Sequence, residues 1–513
     1  MNRCAHMIIS SKDKKCKVDP RLFGSFVEHM GRAVYTGLYE PGHKEADENG
    51  FRQDVLDLVK PLRIPIYRYP GGAYASSYYW EDSVGPTENR KKRMECSWQC
   101  IEPNTFGVEE FALWTEKTQS QIMMTLNLAT RGIQDALNQL EYCNMDTDTY
   151  YAELRRQHGR DKPYGIKTWC LGNELGAPYE LGQKTAEEYG RLANQTAKAM
   201  KSMDPSIETV ACGSPFMTCP SYPEWDYTVL KEAYDNIDYI GIHQYFGHIR
   251  GSTGDYLASV QDLENYIRTI EAAIDYVKTL KKTDKDVKIS FDEWNVWKYY
   301  DNIEPEMAKI QRWATAPSLL ECEYTLEDAV MVGLFMITFL KHADRIAIAA
   351  QAQIANVIGL IMTEPKGKAW AQTIYYPFML TSQNGRGEVL QSIFSTTKHN
   401  TEGHSDVNDI ESVAVLSEDG GQVTIFAANT SEKDDVEFTA DMLNFEEYEV
   451  REFLTVSGED PMITAVGDSD GCMPSSRRDY EYQNGTFKAM MAPCSWNMVA
   501  FKRKGEMMGG KRC

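Results

Sequence analysis

The chain has 513 residues, a mass of 58.4 kDa and a formal net charge of -21, with 42% hydrophobic and 11% aromatic residues. This length exceeds one ordinary core and predicts a large domain with a smaller partner. The acidic charge argues against a nucleic-acid partner, because nucleic-acid binding needs a basic surface that displaces counterions. No apolar run approaches the length that crosses a bilayer, so we expect no membrane partner and favour a neutral ligand.

The N-terminus and the cysteines predict a cytoplasmic protein with reduced thiols. The apolar piece within residues 1–10 is too short for a signal peptide and lacks a small-residue cleavage pattern. The twelve cysteines are scattered, and the nearest pair, Cys96 and Cys100, is joined neither by a second pair nor by suitably spaced histidines. We therefore expect neither disulfides nor a metal site.

Short β-type runs alternate with amphipathic helical segments over the first three quarters of the chain. This alternation is typical of parallel βα units. Eight such runs are present, which is the strand number of a (β/α)8 TIM barrel in the α/β class. The predicted strands are 21–29, 64–72, 122–127, 168–174, 209–214, 238–245, 287–297 and 345–353.

Two of the predicted helices have clear local signals. Thr185 with Glu188 forms a capping-box pattern at the start of one, and Asp204 with Pro205 ends it. The segment 323–339 has apolar residues at helical spacing and is predicted to pack against the barrel.

The pattern changes after residue 378. Short strands over 413–416, 423–428, 435–439 and 448–453 are separated by Gly, Asn and Asp turns, which predicts an all-β, jelly-roll-like sandwich. The strand before residue 16 has no partner in the barrel, so we expect it to join this sheet. The predicted domains are 16–380 for the barrel and 1–15 with 381–503 for the sandwich. Residues 504–513 form a predicted flexible tail.

Two predicted strands end in a glutamate. Thr168–Glu174 stops in Gly172-Asn173-Glu174, and the seventh strand carries Glu293 between Asp292 and Trp294. The carboxyl ends of barrel strands carry the catalytic residues of this fold. Hydrolysis of a glycosidic bond needs one carboxyl to protonate the leaving oxygen and another beneath the anomeric carbon. The pair therefore predicts a glycosidase, although either motif alone is compatible with a capped strand end.

The residues around the pair suggest how it would work. Arg68 and the Tyr245 hydroxyl are candidates to keep Glu293 ionised, and the Asn173 amide is placed to meet a sugar hydroxyl. Because side chains alternate along a strand, Asp292 is interpreted as a strand-end cap that does not share the pocket with Glu293.

Several motifs resemble the α-L-arabinofuranosidases of glycoside hydrolase family 51. The resemblance covers residues from about 20 to the Gln372–Phe378 segment and continues more faintly into the β domain. It rests on Phe26-Val-Glu28-His29-Met-Gly-Arg-Ala-Val-Tyr35, Arg68-Tyr-Pro-Gly-Gly72, Tyr79-Trp-Glu-Asp-Ser-Val-Gly-Pro86, Thr130-Arg-Gly-Ile133, Cys170-Leu-Gly-Asn-Glu174, His243-Gln-Tyr-Phe246 and Asp292-Glu-Trp-Asn-Val-Trp297.

The resemblance implies a retaining enzyme that releases terminal arabinofuranose from arabinan, arabinoxylan or their oligosaccharides. In it Glu174 matches the acid/base and Glu293 the nucleophile. Glu28, Asn173, Tyr245 and a late-barrel glutamine match residues that hold the furanose ring, and Gln353 is a better match than its rival Gln351. No cofactor is implied, and the family resemblance suggests a homo-oligomer, a hexamer.

Other candidate site residues are aromatic or titratable. Trp98 and Trp297 are candidate stacking platforms for a sugar, although large aromatics at a barrel rim often only pack. His29 and His243 are as well suited to orienting neighbours as to contacting substrate. No third ligand with sensible spacing is visible for a metal.

One position departs from the family pattern. Ala73 follows Gly72 where the family usually has asparagine, so an amide that contacts the sugar is missing. Loss of such a contact costs about 1 to 3 kcal/mol unless another group replaces it. The pocket then either tolerates a bulkier furanoside, such as galactofuranose, or works more slowly. Rival interpretations are a galactofuranosidase, a xylosidase, an endo-glucanase or a non-catalytic carbohydrate-binding barrel.

Overall fold

A closed parallel barrel forms the larger part of the molecule. The computed structural model describes residues 3–247, 252–298, 303–465 and 472–504. The strands before residue 372 are β1 (Cys4–Lys17), β2 (Gly24–Phe26), β3 (Ile66–Tyr69), β4 (Arg93–Glu95), β5 (Cys100–Glu102), β6 (Gln121–Thr125), β7 (Thr168–Cys170), β8 (Glu208–Cys212), β9 (Tyr239–Phe246), β10 (Lys288–Val296), β11 (Ile346–Gln351), β12 (Ile361–Thr363) and β13 (Ala369–Ala371).

Eight of these strands close the barrel in the order β2-β3-β6-β7-β8-β9-β10-β11, and β11 pairs back to β2. Every neighbouring pair is parallel. The hairpins β4-β5 and β12-β13 lie outside the closed sheet. The predicted TIM barrel is therefore confirmed.

The helices connect the barrel strands or follow them. They are α1 (Gln53–Val59), α2 (Val108–Thr118), α3 (Ile133–Asn144), α4 (Tyr150–Gln157), α5 (Ala186–Met203), α6 (Glu224–Ala233), α7 (Thr253–Ala258), α8 (Val260–Lys281), α9 (Glu304–Met307), α10 (Leu326–Lys341) and α11 (Tyr375–Asn384). Helix α5 begins with the predicted capping box of Thr185 and Glu188 and ends at Asp204.

Most of the predicted barrel strands are shorter than the apolar runs suggested, and the first, fourth and eighth matter for the site. The first spans only Gly24–Phe26, because a 3-10 helix over Pro20–Phe23 precedes it. The fourth ends at Cys170, since the backbone turns left-handed at Gly172 (φ 99°) and at Glu174 (φ 44°). The eighth ends at Gln351. The charged and amide residues at these ends therefore lie in loops above the strands.

The remaining strands form one large sheet. They are β14 (Glu388–Thr396), β15 (Lys398–His399), β16 (Val407–Asn408), β17 (Ile410–Leu416), β18 (Gln422–Asn429), β19 (Val436–Leu443), β20 (Tyr448–Val456), β21 (Ser475–Ser476), β22 (Tyr480–Gln483), β23 (Thr486–Met491) and β24 (Ser495–Arg503). The ten-stranded order is β21-β20-β24-β18-β17-β14-β1-β19-β23-β22.

The sheet folds over so that its two ends face each other. Phe453 on β20 and Phe487 on β23 have ring centroids 5.7 Å apart, and Tyr482 on β22 lies 5.3 Å from Phe501 on β24. The all-β C-terminal part is confirmed, and β1 pairs with β14 and β19, as expected for the N-terminal strand.

The predicted domain boundaries stay a prediction. Helix α11 spans residue 380, and β1 runs two residues past residue 15. The predicted tail lies outside the described residues except for Lys504. None of the helices in the described ranges combines the length and apolar character of a bilayer span.

Helix α10 joins the two parts of the molecule. The prediction placed one face of this segment against the barrel, but Leu326–Leu340 is buried on all sides because the β domain covers the other face. An added Cβ at Gly333 would lie 2.1 Å from Trp496 Cδ1 on β24. The close contact requires glycine at this position.

We expect Gly333→Ala to lower the free energy of unfolding by about 1 to 3 kcal/mol, since a well-packed contact is overfilled. Chemical denaturation measures the change. Gly42→Ala is the matched control, because its added Cβ would meet no atom within 4 Å. An equal effect of both substitutions would contradict this packing.

Candidate active site

The predicted site residues meet above the carboxyl ends of the barrel strands. Glu293, near the end of β10, is 6% exposed. Its Oε1 accepts a hydrogen bond from Arg68 Nη1 at 2.5 Å, and its Oε2 accepts one from the Tyr245 hydroxyl at 2.9 Å. Both predicted partners of this carboxylate are therefore in contact with it.

Glu174 faces Glu293 from the loop after β7. Its left-handed backbone is uncommon for a residue with a side chain and is the kind of strain often found at functional sites. Its Oε1 lies 2.7 Å from His243 Nδ1, and its Oε2 accepts a hydrogen bond of 2.8 Å from the Tyr179 hydroxyl. The side chain is thus held on both oxygens.

The two carboxylates are close enough for a retaining mechanism. One oxygen of Glu174, one oxygen of Glu293 and one ring nitrogen of His243 lie within 4.8 Å of one another. Retaining glycosidases place their carboxyl groups about 5 to 5.5 Å apart, whereas inverting enzymes leave about 6.5 to 9.5 Å for a water molecule. The separation fits direct attack by a carboxylate.

His243 lies between the acids as a cation. Its Nδ1 is 3.5 Å from Glu293 Oε2, and its Nε2 is 3.4 Å from Asp292 Oδ1. Burial opposes protonation, but Glu293, Asp292 and Glu174 together raise the pKa of His243 to about 10. A metal ion needs a neutral imidazole. A metal ion bound to this group would therefore have to displace the proton of His243.

Asp292 also faces the site, so its interpretation as a strand-end cap was wrong. Ser290 pairs with Gly241 on β9 while Glu293 pairs with His243, which leaves an extra residue on β10. Such a bulge interrupts the alternation of side chains. Asp292 Oδ2 consequently lies 3.4 Å from Arg68 Nε, on the same side as Glu293.

Arg68 links the acids to Asn173. Its Nη2 donates a 2.8 Å hydrogen bond to Asn173 Oδ1, which leaves the amide NH2 as the donor on the other side. Arg68 is 1% exposed. Although burial opposes it, the charges of Asp292 and Glu293 raise the pKa of Arg68 well above its usual value.

Glu28, Trp98 and Gln353 form a second group. Glu28 Oε1 accepts hydrogen bonds of 2.9 Å from Trp98 Nε1 and from the backbone N–H of Tyr74. Gln353 Oε1 accepts one from the backbone N–H of Glu28 at 3.1 Å, and its Nε2 donates to Met30 Sδ. Burial and the nearby Glu293 raise the pKa of Glu28 to about 7. The indole edge of Trp98 thus orients a carboxyl group.

The remaining candidates border this group. Ala73 begins a 3-10 helix over Ala73–Ser77, directly after Gly72. An added Cβ at Gly72 would lie 2.7 Å from Glu293 Oε1, so the loop passes very close to this carboxylate. Trp297 packs edge-on against Tyr245, with ring centroids 5.4 Å apart. Gln351 is buried beside Ser25 on β2 and is not hydrogen-bonded to Glu28 in the described structure.

Two residues in the loop after β7 were not predicted to lie in the site. Tyr179 is 61% exposed, yet its hydroxyl reaches Glu174. Glu180, the next residue, is buried near the site carboxylates. Their position in the sequence, five and six residues after Glu174, could have identified them, because loops after barrel strands line the active site of this fold.

Known proteins resemble the chain over nearly its full length. The family described as "Alpha-L-arabinofuranosidase 1 domain" matches residues 58–250, and "Alpha-L-arabinofuranosidase C-terminal domain" matches residues 292–495. An intracellular exo-α-(1→5)-L-arabinofuranosidase of Acetivibrio thermocellus is 47% identical, over 96% of this chain and 99% of the relative. A Bacillus subtilis protein with the same activity in its name is 45% identical, over 98% and 99%. An exo-α-(1→6)-L-arabinofuranosidase of Bifidobacterium longum is 41% identical, over 97% of each chain.

Solved structures agree with the sequence relatives. The family 51 α-L-arabinofuranosidase AbfB of Bifidobacterium longum superposes with a TM-score of 0.91 at 37% identity, over 98% of this chain and 100% of that one. The Thermotoga maritima α-L-arabinofuranosidase, solved as an arabinose complex, superposes with a TM-score of 0.87 at 29% identity. The superposition covers 97% of this chain and 100% of that one.

We expect Asp292→Asn to lower the pKa of His243, because it removes a negative charge that favours the imidazolium. NMR titration of 15N-labelled imidazole measures the shift. Asp441→Asn in the β domain is the control and should leave His243 unchanged. If the pKa of His243 is the same in the parent protein and in both variants, the neighbouring acids do not set its charge.

Proposed function

Because the chain belongs to the α-L-arabinofuranosidases of glycoside hydrolase family 51, we propose that Glu293 is its nucleophile and Glu174 its acid/base. The protein is a glycoside hydrolase that releases terminal, non-reducing α-L-arabinofuranosyl residues with retention. The observation that carries the proposal is the facing pair of carboxylates, whose nearest oxygens lie within 4.8 Å. The relatives do not favour the rival specificities or a binding-only barrel.

The first step forms a glycosyl-enzyme ester. A carboxylate oxygen of Glu293 attacks the anomeric carbon, and the bond from that carbon to the leaving oxygen breaks. Glu174 protonates this oxygen, so the sugar or alcohol departs neutral. Arg68 and Tyr245 suit the nucleophile, since they hold Glu293 in place while its charge is in use.

The second step releases arabinose. Glu174 takes a proton from water, the hydroxyl oxygen bonds to the anomeric carbon, and the ester bond to Glu293 breaks. His243 Nδ1, 2.7 Å from Glu174 Oε1, is a positioning group that supports the change in charge on Glu174. The two inversions restore the original anomeric configuration.

The other predicted residues would bind the furanose. The NH2 group of Asn173 suits the hydroxyl beside the anomeric carbon, where hydrogen bonds strengthen in the transition state. Glu28 and Tyr245 border the ring. The Trp297 face remains a candidate platform, and Gln353 acts through Glu28, whose backbone it holds. Ala73 has no polar side chain that could bind a sugar hydroxyl.

The relatives support two further proposals. Two of the three carry exo-α-(1→5) in their names and one carries exo-α-(1→6), so we infer a preference for α-(1→5)-linked arabinofuranosyl oligosaccharides. Two are named intracellular, which supports a cytoplasmic location and short, imported substrates. The homo-hexamer stays a prediction.

Removal of each carboxylate should give a different defect. We expect Glu293→Ala to lower turnover of nitrophenyl α-L-arabinofuranoside on the order of 10⁴-fold or more, because no ester can form. Glu174→Ala should lower turnover of arabinobiose by about 10² to 10⁴-fold, because the leaving sugar needs a proton. With the nitrophenyl substrate the first step should slow much less, since nitrophenol leaves without a proton.

Burst kinetics and intact-protein mass separate these cases, since Glu174→Ala should accumulate a pentosyl adduct on Glu293. Glu208→Gln is the control, because Glu208 lies at the opposite end of the barrel against Arg21. An adduct on another residue would refute the assignment of roles.

Arabinobioses with α-(1→5) and α-(1→3) linkages test the proposed preference, together with α-L-arabinofuranosyl-(1→6)-D-galactose, since a pentose has no C6 that could accept a (1→6) bond. We expect the highest kcat/KM on the α-(1→5) isomer, measured by release of arabinose. Nitrophenyl β-D-galactofuranoside and β-D-xyloside run in parallel test the rival specificities. Faster cleavage of the α-(1→6)-linked galactose disaccharide would place the chain with the relative of that specificity.

A further inference from the structure

Glu180 is a buried carboxyl group that lacks a hydrogen-bond partner. It is 6% exposed, and neither of its carboxylate oxygens bonds to any atom of the described residues. A buried polar group without a partner is costly, and a buried charge more so. Groups of this kind in a native site call for a partner that the folded chain alone does not supply.

Its surroundings favour the neutral form. Burial is the main cause, and Glu174, Glu28 and Glu293 add to it, in that order, raising the pKa of Glu180 to about 8. The Ser76 hydroxyl lies near enough to oppose this rise but does not reach either oxygen with hydrogen-bond geometry. A neutral carboxyl group has one donor and one free acceptor, which is what a sugar hydroxyl needs.

The 3-10 helix over Ala73–Ser77 places Glu180 beside the pocket wall. Side chains three residues apart in such a helix eclipse one another, so Ala73 lies on the same side as Ser76, the polar neighbour of Glu180. The same turn donates the Tyr74 N–H to Glu28, and Gly72 borders Glu293. Ala73 ends at its Cβ and leaves this part of the wall without a polar group.

We propose that Glu180 is a substrate-binding residue that reaches a hydroxyl of the arabinofuranose ring across the space left open by Ala73. The inference rests on the proposed function, since it assumes that the furanose lies between Glu174 and Glu293. In this proposal the hydrogen bond from this wall of the pocket comes from residue 180 and not from residue 73.

Glu180→Ala and Glu180→Gln test the contact, with Glu187→Ala as control, because Glu187 is an exposed glutamate seven residues further along the chain. On nitrophenyl α-L-arabinofuranoside we expect Glu180→Ala to lower kcat/KM by about 10- to 100-fold. Glu180→Gln should lower kcat/KM by no more than about threefold at pH 6, because its amide, like a neutral carboxyl group, offers both a donor and an acceptor.

Stability separates binding from a structural role. Without substrate, Glu180→Ala should unfold at the same temperature as the parent protein or at a higher one, since an unpartnered buried carboxyl group is removed. A fall in melting temperature that parallels the fall in kcat/KM, with no rescue in Glu180→Gln, would overturn the proposal.

A double-mutant cycle tests the link to Ala73. In the Glu180→Ala background, Ala73→Asn should restore kcat/KM at least about fivefold, because the amide enters the same space. In the parent protein the same substitution should bring little gain or a loss. Additive effects at the two positions would show that they do not share a hydroxyl.

The choice of substrates distinguishes the remaining outcomes. If Glu180→Ala impairs cleavage of arabinobiose but not of the nitrophenyl furanoside, Glu180 binds the leaving group and the proposal is wrong. If the parent protein releases arabinose from neither substrate, the proposed function fails instead. Equal impairment on both substrates is the expected result.

Discussion

The buried guanidinium of Arg68 is the interaction on which the arrangement of the site depends. It contacts Glu293 through one Nη atom, Asn173 through the other and Asp292 through Nε. These residues come from β10 and from the loop after β7, so one side chain of β3 holds the carboxylate of the proposed nucleophile, Glu293, in place relative to Asn173, which precedes the proposed acid/base. Breaking a buried pair of this kind typically costs about 3 to 5 kcal/mol, because the partner charge remains buried and unpaired. Geometry and stability therefore depend on the same contacts.

The site holds more acids than cations, and its chemistry depends on how they share protons. Arg68 and the protonated His243 face Glu293, Asp292 and Glu174 directly. Glu28 and Glu180 have raised pKa values instead, with burial as the main cause. The two cations thus face three acids, while the raised pKa values of Glu28 and Glu180 favour their neutral forms at the edge of the pocket. A further negative charge at either edge position would compete with the acids for the same two cations.

Much of the fold and the proposed catalytic pair could be predicted from local sequence patterns. Eight β-type runs alternated with helices, and glutamates stood at two strand ends, where barrels carry their chemistry. The failures have physical causes. Asp292 was assigned away from the pocket because strict alternation was assumed, and the bulge between Ser290 and Glu293 removes that alternation. The second packed face of α10 depends on contacts with the distant β24. Glu180 and Tyr179 lie in a loop without periodicity, so only the folded chain brings them to Glu174.

The two carboxylates are supported in different ways, and the difference matches their proposed roles. Glu293 belongs to a strand that is hydrogen-bonded on both sides, so its backbone is fixed by the barrel and Arg68 has only to hold the carboxylate. Glu174 stands two residues after Gly172 in a left-handed loop, and its position depends on side-chain bonds to His243 and Tyr179. A nucleophile must meet carbon at bonding distance, where small displacements cost much rate. An acid/base must first reach the leaving oxygen and then a water molecule in its place. Glu174 is held by hydrogen bonds, one of them from the exposed Tyr179. Such support suits a side chain that first protonates the leaving oxygen and then takes a proton from water.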